Sequence, residues 1–450
     1  MYKILFLIIL LLITTTTAHA AEPPEVTAAA AVLIEVDTGM VVFGKLEHSR
    51  IFPAGLTMVL TALVVLDYFC PDEVVVVGQE IRAVMDDAAR ANHVVGEYIT
   101  VRNLLRACFY LSANDSANVL AINVALRALE QETMPFNAAE RHFALLMNEK
   151  ANELGAVNSR FINAHGYHHS NHFTTPFDMA LICREALGND IIRELSRETR
   201  WQGNGAGANP EPGWSTRNYN FTSRNEIILL GGEFFYPHAT GMRTGFTTPA
   251  GQSLAATAMK DGVELVAVIS NSPDPGRWRD AALLFDYGFD NFSHVAILGE
   301  GEIVGKFEID NPRRQDGGNM HLLATEYFTL FLSRQQIDSM DRKLEFLPDA
   351  VADYSDGIIL KPPIEEGQLL GFVSYFIGET TLYTGPFTAQ RSAEPRTVFT
   401  DIEYYRDVIV GIFFVREAVP YWIIAGLSMI IISYISFRVV KRLKSYKTRY

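Results

Sequence analysis

Fifteen residues from Gly55 to Phe69, GLTMVLTALVVLDYF, are apolar on nearly every face of a helix, with Asp67 as the one charge. A helix of that kind has no side suited to water and must lie inside a domain, covered all round. The chain therefore needs other elements to enclose it, and strand signals lie on both sides. AAVLIEV, the turn Asp37-Thr38-Gly39 and MVVFGK read as one β-hairpin; QSLAATAMK and VELVAVIS, joined at Asp261-Gly262, read as another. Between them, residues 101–126 read as two helices around the loop Ser112-Ala113-Asn114. Residues 138–154 read as an amphipathic helix with Asn137 as N-cap and Gly155 as C-cap. Strands at both ends with helices between them predict an α+β domain over 26–292, its terminal strands sharing one antiparallel sheet.

The ends of the chain set its compartment. Lys3, the apolar run Ile4 to Ile13 and Ala18-His19-Ala20 have the order of a secretory signal peptide over 1–20, with an uncleaved N-terminal anchor as the rival. Residues 294–400 alternate in short stretches broken by Gly and Pro, the pattern of a small all-β domain, and 401–420 read as a stalk. Residues 421–437 carry no charge, and Tyr421 and Trp422 stand where an interfacial belt would be, so a transmembrane helix is expected. The rival, a helix lying flat in the interface, would confine its apolar residues to one face. The tail 438–450 holds six bases and no acid, which places it in the cytoplasm and the folded domains outside.

This partition changes the meaning of the net charge of −14. Setting aside Lys3 and the six tail bases leaves 31 bases against 52 acids, a net −21 on the exported part. Nucleic acid is excluded as a partner, since it needs a basic face. Cys70, Cys108 and Cys183 are odd in number, give no disulfide framework, and read as small buried apolar residues. No internal repeat of 20 to 50 residues is visible.

Several segments in combination resemble the serine D-Ala-D-Ala carboxypeptidases, the low-molecular-mass penicillin-binding proteins that trim peptidoglycan stem peptides. VLIEVDTGMVVFGK and FPAGLTMVLTALVVL resemble the hairpin and buried helix that open the family's domain. GEYITVRNLLRACFYLSANDSANVLA is similar to its SxN segment, with Ser112 and Asn114 matching. MNEKANELGAVNSRFINAHGYHHSNHFTTPFDMALI is the closest match, and MRTGFTTPAGQSLAATA stands where the family has a KTG strand. LKPPIEEGQLLG resembles the family's second domain. The resemblance implies a β-lactamase-like transpeptidase fold, and a peptidoglycan stem peptide or a cell-wall protein as partner. It implies no cofactor and no metal.

The family's chemistry needs a serine and a lysine three residues apart at a helix start, where the amine takes the serine proton. The matching positions here are Gly55 and Met58. Gly55 has no side chain to form an alkoxide, and a thioether has no proton to exchange. Thr57 is turned about 200° around a helix from Gly55. Loss of such a nucleophile removes on the order of a million-fold in kcat. Arg243, followed by Thr244 and Gly245, replaces the third motif's lysine and offers a planar fork suited to a ligand carboxylate. The expectation is a pseudoenzyme that still binds. Two rivals stand beside it: an active enzyme using another nucleophile such as Ser112, and a wall-facing spacer that binds nothing. His165, His168, His169 and His172 are close in sequence but have no acidic or cysteine ligand at metal-like spacing, and the segment resembles one that holds no metal in the family.

Overall fold

The structure, a computed structural model, describes residues 22–214, 217–352, 357–414 and 419–447. The leader expected at 1–20 lies outside the described residues. The chain forms two compact units. One holds the residues up to Val295 together with Thr329–Asp338; the other holds Ala296–Phe328 and the chain from Ser339 onward.

In the first unit, β1 (Ala30–Glu35) and β2 (Val41–Lys45) form the hairpin expected around Asp37-Thr38-Gly39. A 3-10 turn, Ala54–Leu56, leads into α1 (Thr57–Tyr68), and Thr57 to Val65 are buried without a break. The small pair β3 (Val74–Val76) and β4 (Tyr98–Thr100) follows. Then come α2 (Val101–Leu111), α3 (Asn114–Ala128), α4 (Phe136–Glu153), α5 (Pro176–Leu187) and α6 (Asp190–Arg197). A second small pair, β5 (Arg200–Asn204) and β6 (Asn218–Thr222), precedes the long antiparallel strands β7 (Ala239–Thr247), β8 (Gly251–Lys260) and β9 (Val263–Ser272). The helix α7 (Gly276–Asn291) closes this part. The main sheet runs β2-β1-β9-β8-β7, so the terminal hairpins do share one sheet and β7 is its edge.

Period-two alternation divides the core between the two faces of that sheet. Val32, Ile34, Val266 and Val268 face α1 and the other helices, in the larger core. Leu33, Leu265, Ala267 and Ile269 face Trp278, Ala281, Leu284 and Phe285 of α7. Both faces of β9 are covered, which is why VELVAVIS lacks the polar alternation of a half-exposed strand.

The second unit begins within β10 (Phe292–Leu298) and continues with β11 (Ile303–Ile309) and β12 (Asn319–Ala324). The strand β13 (Phe328–Ser333) and the short helix α8 (Arg334–Asp338) return the chain to the first unit. Then follow β14 (Asp341–Phe346), β15 (Val351–Ala352), β16 (Ile359–Leu360), β17 (Leu369–Ile377) and β18 (Thr380–Ala389). They build a seven-stranded sheet in the order β14-β17-β18-β12-β11-β16-β15, around buried Leu322, Leu360, Val373 and Phe387.

Two helices end the described chain, α9 (Val398–Phe414) and α10 (Val419–Lys447). The start of α9 is tied down by Asp401, which pairs with Arg396 at 2.9 Å and Arg314 at 3.0 Å. The expected stalk is thus largely helical. Among the described residues no helix is long and apolar enough to cross a membrane. The 17 uncharged residues at 421–437 rise about 26 Å as a helix, at the lower end of what spans a hydrocarbon core of about 30 Å.

Two smaller expectations are corrected. The helix expected from Ala138 starts at Phe136, with Pro135 rather than Asn137 at the cap position, because the fixed φ of proline sets the entry two residues earlier. Cys108 and Cys183 are buried, but Cys70, just past the end of α1, is exposed. All three thiols are free.

Candidate functional site

Four of the residues singled out in the sequence meet at one point. Gly55 lies in the 3-10 turn before α1, and Met58 in the first turn of α1. Ser112 ends α2 in the left-handed conformation (φ 59°), which turns the chain sharply into α3. Arg243 comes from the middle of the edge strand β7. That strand runs close against the turn before α1: a Cβ on Gly245 would stand 3.0 Å from the Pro53 carbonyl oxygen. A side chain at this position would crowd the turn and make the neighbouring backbone give way.

Arg243 fills the space between these elements. Its side chain is among the largest fully buried in the protein, at 1% exposure. Nε donates to the Gly55 carbonyl at 3.0 Å, and Nη2 donates to Ser112 Oγ at 2.8 Å and to Met58 Sδ at 3.1 Å. Nη1 donates to the Phe109 carbonyl. Burial pulls the guanidinium pKa down to about 10, so it stays charged at neutral pH. The sequence leads one to expect a fork presented to a ligand carboxylate; in the structure the fork is turned onto Gly55, Phe109, Ser112 and Met58. Nε, Nη1 and Nη2 each donate within the protein, and Arg243 is not among the residues that line the cleft.

The remaining matched residues have separate tasks. Asn114 begins α3 and donates through Nδ2 to the Ser112 carbonyl at 2.9 Å, while its backbone N–H holds the Ala89 carbonyl at 2.8 Å. Thr244 and Gly245 line a cleft of about 590 Å³ together with Gly55, Ser112 and Asn114. The opposite wall carries His165, Gly166 and Tyr167, and the Tyr167 hydroxyl donates to Asp87 at 3.0 Å. Gly166 is demanded by geometry: its φ is +76°, and a Cβ there would lie 1.7 Å from the Ala54 carbonyl oxygen.

Thr57 is occupied elsewhere. Its hydroxyl lies 2.9 Å from Nε2 of buried His172, whose Nδ1 accepts from the Ile162 N–H at 3.2 Å. With Nδ1 accepting, the ring proton sits on Nε2 and points at Thr57, so this histidine cannot act as its base. Burial, reinforced by the neighbouring histidines, holds the His172 pKa down to about 3. His165 is likewise held at about 4 by burial, so both rings are neutral at ordinary pH. Of the four histidines, His165 and His168 line the cleft, His172 is buried against Thr57, and His169 is exposed. Among the described residues, the group of metal-type ligands that does converge lies elsewhere, at Glu35, Asp37 and His294.

Sequence reading missed two cleft residues, Arg224 and Arg277. Arg277 enters from the first turn of α7, bonds Gln252 through Nη1, and keeps a buried Nε with no protein partner. Burial lowers its pKa, against the opposing pull of Asp274 and Glu226. Arg224 is exposed between β6 and the next turn. These two, not Arg243, are the cations facing the cleft. No local pattern in the sequence marks them.

Chemically, the site holds a hydroxyl (Ser112) bonded to a guanidinium, which has donors only and cannot take a proton at neutral pH. Its wall is a sheet edge with guanidinium groups at the rim. Comparison with known proteins places this arrangement. The family model for D-alanyl-D-alanine carboxypeptidase (Peptidase S11) matches residues 16–274, more than half of the chain. The D-alanyl-D-alanine carboxypeptidase DacF of Bacillus subtilis is 24% identical over 76% of this chain and 79% of its own. DacD of Escherichia coli is 25% identical over 83% and 89%. Among solved structures, the carboxypeptidase DacD from Francisella tularensis superposes with a TM-score of 0.64 at 20% identity, covering 84% of this chain and 97% of its own. Penicillin binding protein 5 from Haemophilus influenzae gives 0.60 at 20% identity, covering 83% and 99%. The fold is that of a penicillin-binding-protein transpeptidase domain followed by a β-rich unit, and the chain belongs to the D-alanyl-D-alanine carboxypeptidase family.

Proposed function

We propose that this protein is a member of the family that has lost acyl-enzyme chemistry and uses its cleft to bind peptidoglycan stem peptides or a cell-wall protein presenting a similar chain end. The observation that carries the reading is the packing of Arg243 against Gly55, Met58 and Ser112. A side-chain nucleophile is missing at the first position and a base at the second. At the matched motif positions the hydroxyl that remains, on Ser112, faces a guanidinium, which has donors only. The cleft itself stays open, and β7 lines it as a sheet edge, ready to pair with an extended peptide. Arg277 and Arg224 supply the positive charge for a terminal carboxylate.

The reading includes export, with the folded units outside the cytoplasm and α10 serving as a single-pass tether whose basic end stays inside. It is supported by the uncharged stretch at 421–437, the six tail bases and the exposed Ile424, Leu427, Met429, Ile431 and Ile435. Retention of the full chain in membranes through alkaline carbonate is the expected result; release would remove the tether from the reading.

The chemical reading is tested by incubating the protein with a labelled penicillin and measuring intact mass. No adduct is expected, and a stoichiometric one would overturn it. Binding is tested by calorimetry with a peptide ending in D-Ala-D-Ala. Saturable heat that is lost in Arg277→Ala supports the reading. Negligible heat with the wild-type protein refutes it and favours a spacer.

A further inference from the structure

Away from the cleft, the β1–β2 turn and the start of β10 bring together Glu35, Asp37 and His294. One ligand atom from each lies within 4.8 Å of the other two. Glu35 is fully buried, while Asp37 and His294 reach solvent. Two carboxylates at this separation repel each other, and burial of one of them intensifies the repulsion. Among the described residues His294 is the one basic side chain in ion-pair range of Glu35. Nearby Arg184 does not meet the carboxylates; it donates instead to the backbone carbonyls of Val36 and Asp37.

The Glu35 carboxylate is held still. Its Oε1 accepts from the Asp37 N–H at 2.8 Å, and Oε2 accepts from the Thr38 N–H at 2.7 Å and from the Thr38 hydroxyl. His294 is braced edge-on against Phe331, with ring centres 5.1 Å apart. Between these fixed groups, His294 Nε2 lies 3.3 Å from Glu35 Oε1. That is long for a charge-assisted hydrogen bond, which runs to about 2.8 Å. It matches the edge between two ligands of one tetrahedral ion, about 3.4 Å for bonds near 2.1 Å.

We propose that Glu35, Asp37 and His294 bind one divalent transition-metal ion of the zinc class, with solvent completing its coordination. The donor set, one imidazole and two carboxylates, suits such an ion better than calcium or magnesium, which take oxygen alone. The hydrogen bonds to Glu35 act as the supporting shell that orients a ligand before the ion arrives. Exposed Asp37 and His294 leave an entry path. The ion would pin the first hairpin's turn to β10, where the chain leaves the first unit. This site is independent of the cleft and of the function proposed for it.

The test uses the full chain, stripped with a chelator and titrated with zinc chloride by calorimetry, then with cobalt(II) by visible absorption. One equivalent of zinc with micromolar or tighter affinity is expected, together with the intense visible bands of a four-coordinate cobalt site. His294→Ala and Asp37→Asn should each weaken zinc binding by at least about 100-fold. Their metal-free melting temperatures should stay near wild type, which separates loss of a ligand from loss of the fold. Absence of zinc binding in the wild-type chain would overturn the proposal. So would binding that persists unchanged in His294→Ala, since the ion would then sit elsewhere.

Discussion

Putting back the missing pair, Gly55→Ser with Met58→Lys, is expected to leave the site silent while Arg243 remains. The magnitude follows from the packing. A Cβ at position 55 would lie 2.9 Å from the Thr244 carbonyl oxygen, 3.3 Å from Ser112 Oγ and 3.4 Å from Arg243 Nη2. The new hydroxyl would therefore meet a guanidinium where it needs an amine. A lysine ammonium replacing the Met58 thioether, now 3.1 Å from Nη2, would stand roughly 4 Å from that charge. At an effective dielectric of about 20 the repulsion is about 4 kcal/mol, lowering the lysine pKa by about three units, from about 10.4 to about 7. A folded-state pKa below the unfolded one means the unfolded chain binds more protons, so stability rises with pH. The double variant should lose about 4 kcal/mol near pH 7 and recover most of it by pH 10.

Adding Arg243→Lys replaces the fork with a flexible single donor that can withdraw from both neighbours. The triple variant should form a stoichiometric penicillin adduct by intact mass, and the double variant none. Denaturant melts at pH 7 and 9 give the stability half of the comparison. An adduct on the double variant at the triple variant's rate would refute the idea that Arg243 blocks the site. A well-folded triple variant that stays unlabelled would refute the idea that the surrounding scaffold is intact.

Other outcomes follow from the same contacts. Arg243→Ala leaves Gly55, Phe109 and Ser112 acceptors unpaired in the interior and should cost about 3–5 kcal/mol, read from urea melts. Gly166→Ala combines a positive φ with a backbone collision and should cost more than about 4 kcal/mol or prevent folding, seen as loss of soluble protein. His172, neutral when folded down to about pH 3, contributes stability that is full above about pH 6.5 and is lost as pH falls toward 3. His172→Gln should flatten the acid side of the stability curve by up to about 1.4 kcal/mol per pH unit, measured by melts between pH 4 and 7.

What could be read from the chain alone was governed by local signals. Asp37-Thr38-Gly39 and Asp261-Gly262 announced their hairpins because turn chemistry is decided over a few residues. Gly55 to Phe69 announced burial because no face of it was polar. Ser112 and Asn114 were found through the resemblance of their segment to the family's SxN motif, and the structure sets both at the cleft. The direction of Arg243 was not legible, because it depends on space left vacant by two residues 185 and more positions away. Arg277 and Arg224 escaped for a similar reason: they come from distant stretches of chain and meet only at the folded cleft, where Arg277 bonds Gln252 of β8. Cys70 misled because an apolar run continues to the very residue where the helix has already ended.

The four-way contact of Arg243 also bears on how such a site can change over generations. Each of the three replaced positions is fitted to the other two, so returning any one of them alone meets a penalty. A serine at 55 crowds the guanidinium, a lysine at 58 is repelled by it, and a lysine at 243 gives up its forked hold on Gly55, Phe109 and Ser112. Each single substitution toward a serine–lysine pair therefore weakens the packing around Arg243. On the function proposed above, the guanidinium works as a ratchet: each such substitution disturbs its contacts, so these changes are tolerated only together.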